Sequence, residues 1–272
     1  MGMGDELMAL GEARACHART KNRVSIIDKY GRRRAHALWF GAAYVAGMHE
    51  VGVFETIVNG SNCRPYIDYE RTTKQRWVFL DYKPSPGELF NVRPAEKYRG
   101  QILLEPNVKI TGSPNKQWGW EKWQALVAQS PDKRFVQVGP KGTRWLRGVT
   151  RVLTENFAQA VNVLSAVDGA VLPEGGLHHA AAALGKPVVV LFGGYNSPRS
   201  TGYDFHINIA VNSPEAEGWR ALHPACTKAW NQITVPMIQE ALDLSVRKTS
   251  GAAGSQTPIP TWGQSCLARS SV

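Results

Sequence analysis

Two rhythms of apolar and polar residues run along this chain. From residue 101 on, short unbroken apolar runs alternate with stretches whose apolar residues recur every three or four positions. The runs QILLEPNV (101–108), RFVQVG (134–139), RVLT (151–154), AVL (170–172) and PVVVLF (187–192) predict strands. Residues 118–129 place Trp120, Trp123, Leu126 and Val127 on one helical face. Thr154 stands where it can cap a helix carrying Phe157, Ala160, Val161 and Leu164, and a further helix runs from near Leu177 through 184. Strands that are apolar on both faces, each followed by a helix, predict a parallel sheet covered on both sides. Residues 99–248 therefore read as a Rossmann-like α/β domain.

The first hundred residues are less regular. A helix is expected over 5–17, with Asp5 in a capping position at its start, and strands over 23–28, 51–58 and 76–81. The stretch KPSPGELFNVRPA (83–95) holds three prolines and a glycine and reads as connection rather than core. These elements make a small N-terminal α/β domain over 1–98. Beyond 211 a loop precedes a last helix near 235–246, and 249–272, rich in Ser, Gly, Pro and Thr, reads as a mobile tail.

Composition narrows the partners. The 272 residues carry Lys+Arg 32 against Asp+Glu 22, a net charge of +10, so anionic partners are favoured: nucleic acid, lipid headgroups or phosphorylated small molecules. The excess is spread over both halves, which excludes a dedicated basic tail. Lys29, Arg32, Arg33 and Arg34 form a local cluster that is either a solvated turn or a patch for an anionic acceptor. No apolar run is long enough for a transmembrane segment, and the start lacks the pattern of a secretory signal. The four cysteines, Cys16, Cys63, Cys226 and Cys266, hold no C-x-x-C pair, which argues against a disulfide framework or a zinc ribbon and fits a cytoplasmic protein.

The chemistry concentrates at Pro173-Glu174-Gly175-Gly176-Leu177-His178-His179. A strand ends, two glycines turn the chain, and a helix begins whose free N–H groups and positive dipole end point outward. Paired glycines let an anion approach the backbone, and this is the sheet edge where α/β folds bind ligands, so a diphosphate is a natural occupant. A plain tight turn needs about one of those glycines. Neighbouring His178 and His179 point about 100° apart on a helix, which disfavours joint metal ligation, and Asp-x-Asp pairs are absent, so no metal is expected. Trp118, Trp120 and Trp123 read as core before they read as a base-stacking platform. Arg199, Thr201, Gly202, Tyr203, His206 and Asn208 follow the last core strand as further candidates for donor phosphates.

The block EGGLHHAAAALGKPVVVLFGG (174–194) resembles the signature region of the ADP-heptose:lipopolysaccharide heptosyltransferase family of GT-B glycosyltransferases. Asn115-Lys116-Gln117-Trp118 resembles that family's Lys/Trp element, and Gly4-Asp5 its acceptor-domain G-D motif. The likeness spans roughly 101–211, with a few residues at the N-terminus. It implies a GT-B-like fold of two Rossmann-like domains, the N-terminal one small or truncated. Family members carry a hydrophobic strand ahead of the G-D motif, whereas three residues precede Gly4 here, so either that strand is missing or the true start lies upstream; the short N-terminal domain leaves the acceptor pocket expected to be reduced or rebuilt. The resemblance makes Asp5 the general base and puts Lys116 on the donor phosphates. It puts Glu174, Gly175, Gly176 and Leu177 at the diphosphate and sugar and His179 at the family's motif histidine; His178 beside it, and Ser197 after the last core strand, stand as further donor- or phosphate-binding candidates.

The activity so implied is a metal-independent, inverting transfer of a hexosyl or heptosyl group from a nucleotide diphosphate sugar, the donor substrate; no cofactor is called for. The acceptor is anionic or a glycan: a lipopolysaccharide core, a glycolipid, another glycan, or a hydroxylated base in DNA. The expected placement is cytoplasmic, with the inner membrane surface as one site of work. Two other readings stay open, a non-catalytic nucleotide- or sugar-phosphate-binding module and a nucleotide-sugar epimerase. Base, sugar and oligomeric state leave no mark in the residues.

Overall fold

The computed structural model describes residues 2–108 and 114–250. Helix α1 (Met3–Thr20) opens the chain, followed by strands β1 (Val24–Ile27) and β2 (Glu55–Val58). Then come β3 (Ile102–Leu104), α2 (Trp120–Ala128), β4 (Phe135–Gly139), β5 (Thr150–Leu153), α3 (Phe157–Ala166) and β6 (Gly169–Pro173). The chain continues through α4 (Gly176–Ala183), β7 (Val189–Phe192), α5 (Pro198–Thr201), β8 (Ile207–Ala210), α6 (Pro224–Asn231) and α7 (Val235–Ser250).

Six strands form one parallel sheet in the order β5-β4-β3-β6-β7-β8. The winding reverses between β3 and β6, so the crevice at their carboxyl ends is the switch point at which such sheets accept ligands. Side chains of successive strand residues sort onto opposite faces, as a period of two requires. Leu104, Val171, Val189, Leu191, Ile207 and Ile209 join Trp118, Trp123 and Leu126 on the α2/α7 side. Leu103, Val136, Ala170, Leu172, Val190 and Phe192 join Val161, Leu164, Leu177 and Ala180 on the α3/α4 side.

The N-terminal part is a parallel pair, β1 with β2, backed by α1. Helix α1 is buried along most of residues 4–13 and serves two cores. Leu7 packs with the α3/α4 side of the large sheet, whereas Ala9, Leu10, Ala13 and Cys16 pack with Val24, Ile26 and Trp39. The helix is thus wedged between the small sheet and α4.

Several local expectations are corrected. Asp5 is the third residue of α1 rather than its cap; the cap is Gly2, whose N–H donates to Asp5 Oδ2 at 3.1 Å. The cap of α3 is Asn156, which accepts from Gln159 N at 3.0 Å, so Thr154 is left at the end of β5. Residues 76–81 make isolated bridges, Ile67 with Phe79 and Arg76 with Trp219, instead of a strand. Strand β8 and helices α5 and α6, which the spacing did not announce, complete the edge of the large sheet. The expected tail falls outside the described residues from 251 on, and residues 249–250 close α7.

The basic cluster is dispersed by its partners. Arg34 donates to both carboxylate oxygens of buried Glu6, at 2.7 and 2.9 Å, and to Asn59 O at 2.8 Å. Arg33 donates to the carbonyls of Gly47 and Glu50, and Arg32 pairs with Asp28 at 2.8 Å. Trp118 and Trp123 are core, while Trp120 carries the Arg144 guanidinium 4.1 Å over its ring. Cys16, Cys63 and Cys226 are free thiols, and Cys266 lies outside the described residues. No helix among the described residues is long and apolar enough to cross a membrane.

Candidate active site

A cavity of about 610 Å³ opens over the carboxyl ends of β3 and β6 and under the start of α1. Among the residues singled out from the sequence, Gly4, Asp5, Lys116, Pro173, Glu174, Gly175, Gly176 and His179 line it. Arg64, Tyr66, Glu105 and Tyr195 line it as well.

The floor is the turn from β6 into α4. Gly175 caps α4 in an extended conformation and Gly176 is its first residue, so the first amides of the helix are presented toward the cavity. Helix α1 crosses α4 closely enough that Gly4 has no room for a side chain. A methyl group there would stand 2.5 Å from Cδ2 and 3.2 Å from Nε2 of His179, and 3.5 Å from the carbonyl oxygen of Gly175. That close approach carries Asp5, the next residue, over the glycine turn.

Lys116 reaches the turn from the loop ahead of α2. Asn115 anchors that loop, its amide donating to the carbonyls of Trp219 (2.6 Å) and Ala221 (2.8 Å), while Trp230 Nε1 donates to Asn115 O at 2.6 Å. The Lys116 ammonium is thereby set against the Glu174 carboxylate in an ion pair. Burial alone pushes the lysine down, but the Glu174 charge, followed by Tyr195, outweighs it and holds the ammonium above its usual range. Burial likewise pushes Glu174 up, and the opposing Lys116 charge, with help from His179, holds the carboxylate well below its usual range. Both partners are therefore charged near neutrality.

His179 is wedged between Glu174, 3.5 Å from Nε2, and the Tyr203 hydroxyl, in a 2.9 Å hydrogen bond with Nδ1. Across the cavity, Asp5 Oδ1 accepts from the Tyr66 hydroxyl and lies 3.2 Å from Arg64 Nε. Burial, and then the Asp5 charge, push the Tyr66 hydroxyl well up, so it stays protonated as the donor in this bond.

Three residues expected at the donor do not line the cavity. Leu177 is in the core. His178, fully buried, faces Phe192, Tyr203 and His206, and burial followed by the charge of His179 holds it well below its ordinary range. Ser197 caps α5, its hydroxyl accepting from Arg199 N at 3.0 Å. Among the other candidates, Tyr203 backs His179, Asn208 donates to Tyr203 O at 2.9 Å, and exposed Arg199 pairs with Asp81. The expectation that His178 and His179 point apart is also corrected, since their ring centroids are 4.5 Å apart, tilted by 37°. Glu174, His178 and His179 bring ligand atoms within 4.8 Å of one another, with Glu174 Oε2 paired to the Lys116 ammonium and Oε1 facing His179.

Sequence spacing missed Arg64, Tyr66, Glu105 and Tyr195. Tyr66 lies 61 positions from the Asp5 it meets, so no local pattern marks the pair. Glu105 alone carried a signal, as a carboxylate at the end of an otherwise apolar run.

A doubly wound sheet with a lysine-supported glycine turn at its switch point, faced by a second small α/β unit, is the architecture of a GT-B glycosyltransferase. Residues 66–221, more than half of the chain, match Glycosyltransferase family 9 (heptosyltransferase), and the protein belongs to that family. Three solved structures share the fold. The bacterial iron-containing dodecameric glycosyltransferase TibC of enterotoxigenic E. coli H10407 aligns over 91% of this chain and 74% of its own, at 15% identity and a TM-score of 0.65. The ADP-heptose lps heptosyltransferase II of E. coli aligns over 92% and 97%, at 17% identity and a TM-score of 0.54. The family 9 glycosyl transferase of Veillonella parvula DSM 2008 aligns over 91% and 95%, at 11% identity and a TM-score of 0.55. A search of curated protein sequences gave no match.

Proposed function

We propose that this heptosyltransferase-like glycosyltransferase carries a heptose-type sugar from a nucleoside diphosphate donor to the hydroxyl of an anionic or glycan acceptor. It does so with inversion and without a metal. One observation carries the reading: Asp5 on one wall and the Lys116–Glu174 pair on the other face a single cavity across the Gly175-Gly176 turn. The name of the E. coli family member above supports ADP-heptose as the donor and a lipopolysaccharide core as the acceptor class.

In this reading the Asp5 carboxylate takes the proton from the acceptor hydroxyl as its oxygen bonds to the anomeric carbon. The bond from that carbon to the diphosphate oxygen breaks, and the nucleoside diphosphate departs with the bonding pair. Its growing charge is met by the Lys116 ammonium and by the first amides of α4, an arrangement that supplies the electrostatic stabilisation otherwise given by a metal ion. As diphosphate binds, Lys116 divides its attention between phosphate and Glu174, while His179 remains beside Glu174. Attack from the Asp5 wall, opposite the leaving group, inverts the anomeric centre. Tyr66 and Arg64 keep the Asp5 carboxylate aimed.

The test is a thermal-shift titration with ADP, followed by transfer from ADP-heptose to a lipopolysaccharide-core glycan with wild type and Asp5→Asn. ADP should raise the melting temperature of both proteins, while transfer falls by roughly 10²-fold or more in Asp5→Asn, the scale of a lost general base. Unchanged transfer by Asp5→Asn overturns the assigned base. A melting temperature indifferent to every nucleoside diphosphate overturns the donor site.

A further inference from the structure

We propose that Glu105 is a donor-contacting residue, meeting the diphosphate of the nucleotide sugar beside Lys116 and giving it a hydrogen bond. The assignment rests on the donor reading above and adds to it a carboxyl group that no motif marks.

Glu105 stands at the tip of β3, next to β6 at the switch point, and its own N–H is pinned to Val171 O at 3.3 Å. Its side chain is half-buried in the cavity wall, and Oε2 is shielded from solvent with no hydrogen-bond partner among the described residues. Buried polar oxygens are nearly always satisfied, and one left open in the wall of a cavity awaits a group from the ligand. Of the cations lining the same cavity, Lys116 is engaged with Glu174 and Arg64 with Asp5.

The charged and titratable groups sharing the cavity come from every surrounding element: Glu174 and His179 from the β6–α4 turn and α4, Lys116 from the loop before α2, Asp5 from α1, and Arg64 and Tyr66 from the N-terminal part. Tyr195, after β7, completes the set. Burial, and then the negative charge of Glu174, push the Glu105 carboxyl up to about 8, so it holds a proton at neutral pH. The proton decides the sign of the interaction. An ionised carboxylate would repel a diphosphate, whereas a carboxylic acid presents an O–H to an oxyanion that accepts it. Asp5, on the other wall, serves the acceptor as a base; Glu105 serves the donor as an acid that keeps its proton.

The experiment compares ADP binding by calorimetry for full-length wild type, Glu105→Gln and Glu105→Ala, between pH 7 and 9, with a thermal melt of each. Gln keeps the shape and a donating amide, so Glu105→Gln should bind within about threefold of wild type. Glu105→Ala should lose roughly tenfold or more, the scale of one hydrogen bond to a charged group. Binding that needs the protonated acid is full below about 8 and lost above it. Wild-type affinity should therefore drop about tenfold by pH 9, while Glu105→Gln stays flat across the range. Glu105→Gln as weak as Glu105→Ala, or a pH limb that survives in Glu105→Gln, overturns the assignment while leaving the donor site standing. Equal binding by all three proteins does the same. A wild-type chain that takes up no ADP overturns the donor reading itself and this assignment with it.

Discussion

Gly4→Ala isolates the contact on which the site depends. In an ordinary helix interior this change is favourable, since alanine is the better helix former by about 1 kcal/mol. Here the added methyl group would lie 2.5 Å from His179 Cδ2, against an ordinary carbon–carbon contact of roughly 3.5–4.0 Å. The ring cannot swing aside: His179 is buried, held by the Tyr203 hydroxyl on one nitrogen and set against Glu174 on the other. Relief must come from α1 lifting off α4 by about 1 Å. Such overpacking costs about 1–3 kcal/mol, of which the helical gain returns part. The melting temperature should fall by a few degrees at about 2–4 °C per kcal/mol. The larger effect falls on transfer, because Asp5 rides on the displaced turn of α1; a misplacement near 1 Å costs roughly 10²-fold in rate. The assay is kcat for sugar transfer measured beside ADP affinity, which should change little because the amides of α4 stay in place. A Gly4→Ala protein that melts at or above the wild-type temperature and transfers at the wild-type rate would refute the close-approach argument.

Removing Lys116 should separate stability from turnover. Lys116→Met leaves the buried Glu174 carboxylate without its cation, a loss of about 3–5 kcal/mol for a broken buried pair, read by denaturant unfolding. Adding Glu174→Gln should restore most of that stability and none of the transfer; recovery of transfer would show that the ammonium does not meet the diphosphate. Tyr66→Phe deletes the hydroxyl that orients Asp5, so kcat should drop roughly tenfold with the donor KM unchanged, in line with the loss of one hydrogen bond to a charged group. A rise in donor KM instead would place Tyr66 in donor binding.

The alternation of apolar runs and helical spacing after residue 101 determined a parallel α/β sheet, because side-chain period and strand burial are properties of a few adjacent residues. The same local logic picked out the Gly175-Gly176 turn and set Lys116 at the head of a helix, since a strand, a turn and a cap are written contiguously. Caps were read less well: Asp5 and Thr154 are competent capping residues, but Gly2 and Asn156 take those places once the helices start where packing puts them. The tertiary structure alone decided which distant groups meet. Lys116 and Glu174 are 58 positions apart, and Arg34 and Glu6 28, so residue spacing alone gave no sign that the Lys116 ammonium is set against Glu174 or that Arg34 is held by buried Glu6. The retreat of His178 against Phe192, Tyr203 and His206 and the unanswered oxygen of Glu105 are likewise products of packing, and the aiming of Asp5 by Tyr66 and Arg64 follows from how α1 lies against α4. That contact depends on the absence of one methyl group, and such a space exists only once both helices are packed.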